Sequence, residues 1–341
     1  MPMKNTFINL IKNIDVDALE IDYYPKKYLT HLIKNINYYI AIYDDAIINC
    51  IKKANKKIQQ TIVIDYGCGN GILGLYAKYL GVKEIYLIDV SKPFLDAAIK
   101  LANALNIKID SVILGDIEEL QNIEFKNSAD IIIGIDVVEH IYDVEIFLKK
   151  ISAINKSTIT CFTTGCNPNN WLKVKQLQKL QNKDEYLGGT KEDELLYGAD
   201  ACIPFIQMRK NIITDNFTNL SIKEVTILAQ LTRGKRAADI ILEIQKYKDT
   251  KIYPQLLKHK TNTCNPYTGS WTERIVELSV YKKMYNKNGF NIDVVNGYYN
   301  GLNNSKLKNT LLKFVNICMA TFPFLGKRLA PFIFIYGQKK D

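Results

Sequence analysis

Short apolar runs alternate with helical stretches along most of this chain. The run 61–66 is apolar and rich in β-branched residues, and further runs end at Asp89, Asp116, Ile135 and Thr163. Runs that are apolar throughout are typical of buried parallel strands. Between them, apolar positions three and four residues apart predict helices. The pattern therefore predicts an α/β fold with a doubly wound sheet.

The first strand leads directly into a glycine-rich turn. The sequence DYGCGNG occupies residues 65–71, and the segment after Gly71 has helical spacing as far as Gly81. A strand, a glycine elbow and a helix N-terminus allow a nucleotide-like ligand to contact bare backbone and helix amides. The elbow therefore predicts a site for an adenosine-containing cofactor.

Two classes of cofactor compete for this elbow. Residues 69–74 also read G-x-G-x-x-G, the dinucleotide fingerprint, and Asp89 follows at about the expected twenty residues. However, Gly67 already occupies the place directly after the strand, and the Asp65 carboxylate would lie unfavourably beside a pyrophosphate. A carboxylate suits the cationic amino-acid end of S-adenosylmethionine (SAM). The sequence therefore favours SAM over NAD.

Several motifs together resemble the class I SAM-dependent methyltransferases. They are DYGCGNG at 65–71, Asp89, GDI at 115–117, DVVEHI at 136–141, and a C-terminal pair of strand-like segments beginning at 288 and 330. The resemblance implies a Rossmann-like class I methyltransferase sheet, mostly parallel, with an antiparallel last strand. It also implies cofactor contacts from the following residues: Asp65, Gly67, Cys68, Gly69 and Gly71 around the methionine end, Asp89 at the ribose, Asp116 and Ile117 at the adenine, and Asp136 beside the methyl donor.

The segments around these motifs predict four parts. We expect a helical N-terminal cap at 1–59, a SAM-binding core at 60–165, an inserted substrate lid at 166–261 and the C-terminal part of the core at 262–341. The insertion contains no recognisable motif. Its assignment rests on its place after the fifth strand, because open α/β sheets bind ligands at the carboxyl ends of their strands.

The segment DVVEHIYD at 136–143 carries the candidate catalytic groups. Residues three and four apart share a helix face, so Asp136, Glu139 and His140 would converge if a helical turn follows the fourth strand. A hydroxyl acceptor needs a base, and histidine is the side chain that most readily exchanges protons near neutral pH. We therefore predict that His140 and Glu139 are catalytic, with a helix-capping role as the alternative.

The D-x-x-E-H spelling also resembles two groups of methyltransferases. These are the ubiquinone-biosynthesis O-methyltransferases and the small-RNA 3′-end 2′-O-methyltransferases, in which the matching residues hold a divalent metal. The RNA enzymes need a second histidine near the fifth strand, whereas this chain has only His31 and His259 besides His140. A divalent metal is therefore an alternative that the sequence does not favour.

A polar loop at 262–274, NTCNPYTGSWTER, is the other candidate site. Its residue types predict a substrate-binding loop with Trp271 as a wall and Arg274 holding an anionic group. The alternative is a capped turn over a buried tryptophan. In either case a helix is expected to begin near residues 271–273.

Composition limits the partners. The net charge is +10, but the lysines are spread along the whole chain and no nucleic-acid module is present, so nucleic acid is not favoured as a substrate. Seven cysteines without a C-x-x-C pair indicate reduced thiols and a cytoplasmic enzyme.

No apolar run is long enough to span a bilayer. For the apolar segment 311–337 we expect a helix, a turn and a final strand that pack into the core, with a membrane-surface contact as the alternative.

Together these features predict a cytoplasmic SAM-dependent methyltransferase that modifies a small-molecule acceptor at oxygen. The alternatives are a nucleic-acid methyltransferase, an NAD-dependent oxidoreductase and a non-catalytic SAM-binding module. The sequence indicates neither the identity of the acceptor nor the oligomeric state.

Overall fold

The structure is a computed structural model that describes residues 2–121, 129–154, 157–189, 202–302 and 305–340. The strands are β1 (Ile62–Tyr66), β2 (Glu84–Asp89), β3 (Ser111–Leu114), β4 (Ile131–Gly134), β5 (Ile159–Thr164), β6 (Phe290–Asn296) and β7 (Ile333–Lys339). The helices are α1 (Pro2–Lys12), α2 (Tyr23–Lys34), α3 (Ile36–Ala54), α4 (Ile72–Tyr79), α5 (Lys92–Ala104), α6 (Ile117–Gln121), α7 (Val144–Ser152), α8 (Trp171–Tyr186), α9 (Phe205–Asn216), α10 (Ile222–Leu231), α11 (Ala237–Thr250), α12 (Leu278–Lys287), α13 (Lys306–Thr321) and α14 (Pro323–Leu329).

One seven-stranded sheet has the order β3-β2-β1-β4-β5-β7-β6. Strands β1 to β5 pair in parallel, whereas β7 is antiparallel to both of its neighbours, β5 and β6. Every residue of β1, β4 and β5 is buried, as expected for central strands of a sheet covered on both faces. The predicted Rossmann-like class I methyltransferase sheet is thus confirmed.

The described residues divide into two compact units. The first comprises Met1–Val138, Val144–Gly165 and Ser279–Asp341, and the second comprises Glu139–Asp143 and Cys166–Leu278. The largest apolar cluster draws all its members from the first unit. Two smaller apolar clusters consist only of residues of the second unit. Each unit therefore has its own apolar interior.

The interior of the second unit also contains charge. Arg209 is fully buried; it is paired with Glu185, and its Nε donates to the carbonyl of Ala229 at 2.8 Å. The second carboxylate oxygen of Glu185 accepts from the hydroxyl of Thr263 at 2.7 Å. Because a buried charge is costly unless it is paired and hydrogen-bonded, these contacts tie α8, α9 and the 261–278 segment to one arrangement.

The helix expected near residues 271–273 begins later, at Leu278. Glu273 has a φ of 45°, which interrupts helical backbone. The Gln181 side chain donates to the carbonyl of Glu273 at 2.8 Å, and the Asn262 side chain accepts from the amide of Ile275 at 3.0 Å. These tertiary hydrogen bonds hold the backbone extended, so the predicted helix start was wrong.

The expected core packing of segment 311–337 is only partly right. Strand β7 is buried, but several large apolar side chains of α13 and α14 are exposed. Among the described residues, no helix is long and apolar enough to cross a membrane.

Candidate functional site

The elbow after β1 needs glycine for two reasons. Gly67, Gly69 and Gly71 all have positive φ, at 68°, 51° and 73°. A Cβ on Gly67 would lie 2.6 Å from a methyl group of Val137, and one on Gly71 would lie 2.9 Å from the Cβ of Ala98. The elbow therefore combines left-handed backbone with close packing against neighbouring segments, and it presents backbone rather than side chains.

Asp65 lies under this elbow, almost completely buried. Its Oδ2 accepts a hydrogen bond from the amide of Gly74 in α4 at 2.9 Å. Burial raises the pKa of Asp65 to about 7; the Gly74 amide counteracts this and the Asp89 carboxylate adds to it. A buried carboxylate of this kind becomes ionised most easily when a cation is placed beside it.

Asp89, at the end of β2, is tied to the same elbow. Its Oδ2 accepts from the amide of Gly69 and its Oδ1 from the amide of Ser91, both at 2.9 Å. Burial raises its pKa, and these amides oppose the rise. Each ionised oxygen has a second lone pair, so Asp89 can hold the elbow and still accept from ribose hydroxyls.

A cleft at this elbow is closed on one side by the N-terminal helices. It is lined by Tyr28, Leu32, Tyr39 and Tyr43 from α2 and α3, by Asp65, Gly67, Cys68, Gly69, Ile72 and Leu73 from the elbow region, and by Ile135 and Asp136 after β4. The four residues from α2 and α3 belong to the segment predicted as a helical N-terminal cap, but none of them was predicted as a lining residue. Burial raises the pKa of the Cys68 thiol well above its ordinary value, which agrees with a packing role.

Asp136 is the most unusual residue of this cleft. Its φ is 55°, and its amide donates to the hydroxyl of Thr163 at 3.1 Å. Burial, and secondly the Asp136 carboxylate, raise the pKa of Tyr28 and Tyr38. The cleft thus places an acidic group among neutral phenols at the end of β4, a suitable neighbour for a sulfonium.

The predicted adenine contacts lie after β3. Asp116 is exposed, and its Oδ1 accepts from the amide of Glu118 at 2.8 Å, whereas the Ile117 side chain is buried. Their role at the adenine stays a prediction.

The segment after Asp136 forms a turn rather than the expected helix. Residues 138–140 are a turn and α7 begins only at Val144, because the left-handed backbone of Asp136 cannot continue as a helix. The carbonyls of Glu139 and His140 accept from the amides of Arg274 and Trp271, at 3.2 and 3.3 Å. Hydrogen bonding to the 262–278 loop, rather than helix formation, therefore fixes the positions of Glu139 and His140.

His140 has an unambiguous hydrogen bond on one ring nitrogen. Its Nδ1 lies 2.8 Å from the carbonyl oxygen of Trp271. Because a carbonyl can only accept, we assign the proton of the neutral ring to Nδ1, which leaves a lone pair on Nε2. Nε2 lies 4.0 Å from Oε1 of Glu273. The arrangement is suited to proton acceptance by Nε2.

Three further groups meet beside His140 within the second unit. Ligand atoms of Glu139, Cys166 and Glu273 all lie within 4.8 Å of one another, and the Cys166 thiol donates to Glu273 at 3.2 Å. Two carboxylates and a thiol could hold a transition metal such as zinc. This cluster was not predicted: Cys166 was not a candidate site residue, and Glu273 was expected only as part of the polar loop 262–274, because nothing local in the chain places the two beside Glu139.

Trp271 and Arg274 are connected through Tyr142. The Trp271 indole N–H and the Arg274 guanidinium donate to the carbonyl of Tyr142 at 3.1 and 3.2 Å, and the guanidinium lies 4.2 Å above the indole ring. Trp271 is only 4% exposed. The stacked Trp271 and Arg274 side chains therefore stabilise the loop whose Trp271 carbonyl accepts the hydrogen bond from His140. Roles as a substrate wall and an anion holder stay predictions.

The fold and the elbow match those of one class of protein. Strand order, the antiparallel β7 and the glycine elbow are those of the class I SAM-dependent methyltransferases. Residues 55–219 match the family model described as a methyltransferase domain. This part of the chain is therefore a methyltransferase domain.

Curated relatives agree with this class and differ in their acceptors. Ribosomal protein L11 methyltransferase of Acinetobacter baumannii is 42% identical over 78 residues, 23% of this chain and 25% of that protein. Ubiquinone biosynthesis O-methyltransferase of Pelagibacter ubique is 27% identical over 117 residues, 34% of this chain and 47% of that protein. The chain thus spans between a quarter and about half the length of these relatives.

Solved structures are similar only at a low level. Phosphoethanolamine N-methyltransferase 2 of Haemonchus contortus, solved with S-adenosylhomocysteine, superposes with a TM-score of 0.38 at 12% identity, over 86% of this chain and 52% of that one.

If Asp89 holds the ribose as predicted, replacing it with alanine should weaken SAM binding by about 1–3 kcal/mol, since a charged acceptor is lost from the ribose as well as from the Gly69 amide. Isothermal titration calorimetry measures this loss. The control is Asp96→Ala, which removes a carboxylate of α5 that pairs with Lys92 at 2.6 Å and is not among the predicted cofactor residues. Unchanged affinity in Asp89→Ala would exclude Asp89 from the cofactor site.

Asp65 should make SAM affinity depend on pH. If the ionised carboxylate holds the SAM ammonium, binding must release the Asp65 proton, so affinity falls as pH drops through about 7. Between about pH 8 and about pH 6 the expected loss is roughly tenfold. The Asp65→Asn variant is the control, because any pH dependence of SAM affinity that it retains comes from the amino group of SAM itself. Parallel profiles for the two proteins would show that Asp65 does not hold the ammonium.

Proposed function

We propose that this protein transfers the methyl group of SAM to the oxygen of a small-molecule acceptor. The observation that carries the proposal is the cleft at the β1 elbow. There, Asp65 and Asp136 lie with bare glycine backbone and four residues of the N-terminal helices. Two carboxylates in one small cleft favour a cationic ligand.

The residues present fit SAM. We assign the methionine end to Asp65, Cys68 and the elbow glycines, the ribose to Asp89, the adenine to Asp116 and Ile117, and the sulfonium side to Asp136. Added Cβ atoms on Gly67 and Gly71 would collide with Val137 and Ala98, so these positions require glycine, and an elbow without side chains leaves its backbone accessible to a ligand. When bound, SAM supplies an activated methyl carbon for in-line displacement.

The proposal disfavours an NAD-dependent oxidoreductase. A dinucleotide would bring its pyrophosphate to the elbow, where Asp65 is buried with its pKa already raised by burial. A second anionic group there would be opposed by the carboxylate or would require its protonation.

His140 supports an oxygen acceptor. Its Nδ1 is committed to the Trp271 carbonyl, so Nε2 is available to take a hydroxyl proton. We propose that Glu139 and Glu273 stabilise the imidazolium that forms, and that Trp271 and Arg274 contribute to acceptor binding. A metal held by Glu139, Cys166 and Glu273 is the second candidate mechanism, on the observation that their ligand atoms converge.

The acceptor class is a proposal, since the names of the relatives refer to ribosomal protein L11 in one case and to ubiquinone biosynthesis in the other. We propose a small molecule, and a cytoplasmic location, from the dispersed lysines and the free thiols. All seven cysteines lie among the described residues and none forms a disulfide.

Transfer of a labelled methyl group tests the proposal. The protein is incubated with methyl-labelled SAM and cell extract, and the extract is then separated into small-molecule, RNA and protein fractions. The proposal expects label in the small-molecule fraction, attached to oxygen. Label confined to RNA or protein would show that the acceptor class is wrong, and no transfer would favour a binding module.

A further inference from the structure

Large apolar side chains are exposed along the two C-terminal helices of the first unit. We define the C-terminal apolar face as Leu307, Leu311, Phe314, Ile317, Phe322 and Phe324. Each of these side chains is between 56% and 82% exposed. Leu307, Leu311 and Phe314 are four and three residues apart, so they share one face of α13. Contiguous apolar patches of this kind mark interaction surfaces.

The opposite side of the same helices is fixed to the sheet-containing unit. The Asn316 side chain exchanges two hydrogen bonds with the backbone of Tyr299, at 2.8 and 2.9 Å. The Tyr299 hydroxyl donates to the carbonyl of Leu329 at 2.8 Å, and Met319 is buried. Rotating α13 to bury its apolar face would break these contacts, so the exposure follows from how the helix is attached.

Positive charge surrounds this face. Exposed basic residues of α13 and α14 are Lys306, Lys308, Lys313, Lys327 and Arg328. Residues 294–340 contain no Asp or Glu at all. The Arg328 guanidinium lies 4.2 Å above the Phe324 ring, so charge and apolar surface are in direct contact.

We propose that the C-terminal apolar face binds the surface of an anionic lipid bilayer. An amphipathic helix with apolar side chains on one face and lysines at its border lies in the plane of the interface. Helix α13 has 16 residues, too few to span the bilayer core, which agrees with an in-plane position. Anionic headgroups complement the lysines while the acyl region takes the leucines and phenylalanines.

Two other occupants fit this face less well. A second copy of the chain would bring like-charged helices together, with no acidic residue in segment 294–340 of either copy to pair with the lysines. A nucleic acid would use the lysines but leave the apolar side chains in water. An anionic bilayer satisfies both the apolar and the charged chemistry of this face. The inference does not depend on the methyl acceptor.

Vesicle flotation tests the proposal with the full chain. One set of vesicles contains phosphatidylcholine alone, and the other contains phosphatidylcholine mixed with phosphatidylglycerol. The protein should float with the anionic vesicles, bind the neutral ones far less, and dissociate progressively as salt is raised.

Two variants separate the apolar and the charged contributions. Leu311→Ser with Phe314→Ser should reduce partitioning by roughly tenfold or more, because both apolar anchors are lost. Lys306→Gln with Lys313→Gln should also reduce it by roughly tenfold, and only on anionic vesicles. The matched control is Leu242→Ser, a leucine of α11 that is 68% exposed and outside the face. SAM titration and circular dichroism verify that each variant is folded.

Failure of the wild-type protein to bind anionic vesicles would overturn the proposal. Equal binding by the Leu311→Ser, Phe314→Ser variant would also overturn it. A wild-type dimer in sedimentation equilibrium that this variant dissociates, without vesicle binding, would identify the face as a contact between copies instead.

Discussion

His140→Ala should lower kcat by about 10²–10⁴-fold while SAM affinity stays nearly unchanged. The reason is the hydrogen bond between Nδ1 and the Trp271 carbonyl, which leaves Nε2 as the proton acceptor. The proposed cofactor residues all belong to the first unit, whereas His140 belongs to the second. Steady-state kinetics with the acceptor found by label transfer, together with SAM titration, measure both quantities.

Further variants distinguish a base from a positioning residue. The Asn side chain in His140→Asn can still donate to the Trp271 carbonyl but has no basic nitrogen. If His140 acts as a base, kcat should stay low in this variant; if His140 only positions the loop, kcat should return towards the wild-type value. His259→Ala is the control, since this second-unit histidine contacts Glu277 at 3.3 Å. If a chelator lowers the kcat of the wild-type protein as much as His140→Ala does, and added zinc restores it, catalysis uses a metal rather than His140 as a base. If His140→Ala keeps the wild-type kcat, His140 has only a structural role.

Removing residues 166–278 and joining Gly165 to Ser279 through a short flexible linker should abolish turnover, by more than about 10³-fold, yet preserve SAM binding. The largest apolar cluster and the cleft at the elbow contain no residue of this segment. The candidate groups Cys166, Trp271, Glu273 and Arg274 are all lost with it. Label transfer and SAM titration are the two measurements.

The deleted protein must first be shown to fold. Circular dichroism and a cooperative thermal transition provide that control. A folded deletion protein that no longer binds SAM would mean that the segment helps to build the cofactor site, and the division of roles between the two units would be wrong.

The cofactor elbow could be predicted from sequence because its determinants are local. A β-branched run, an acidic residue and three alternating glycines occupy consecutive positions, and their conformations follow from strand burial and from left-handed backbone. The mostly parallel sheet with an antiparallel last strand followed from the resemblance to a known family. The contribution of Leu32 to the cleft could not be foreseen, because it depends on how α2 packs against a distant part of the chain.

The second candidate site depended on contacts that sequence spacing does not encode. Glu139 and His140 were expected on a helix, but the left-handed Asp136 and the backbone hydrogen bonds to residues 271–274 place them on a turn. Those bonds join positions more than a hundred residues apart. For the same reason nothing local joined Cys166 to Glu273, although Glu273 lies in the polar loop 262–274. The buried Gln181 that holds Glu273 lies in a predicted helical stretch of ordinary polar composition.

The C-terminal segment was misjudged for a different reason. Its apolar content predicted core packing, and apolar content alone does not tell which face of α13 meets the protein. Polar Asn316 is the residue that bonds inward, through Tyr299, while Leu311 and Phe314 are exposed.

Calorimetric titration of the wild-type protein with SAM and, separately, with NAD tests the central claim most directly. The account predicts saturable one-to-one binding of SAM, centred on the cleft with Asp65 and Asp136, and no measurable heat from NAD at the same concentrations. Saturable binding of NAD without binding of SAM would contradict it.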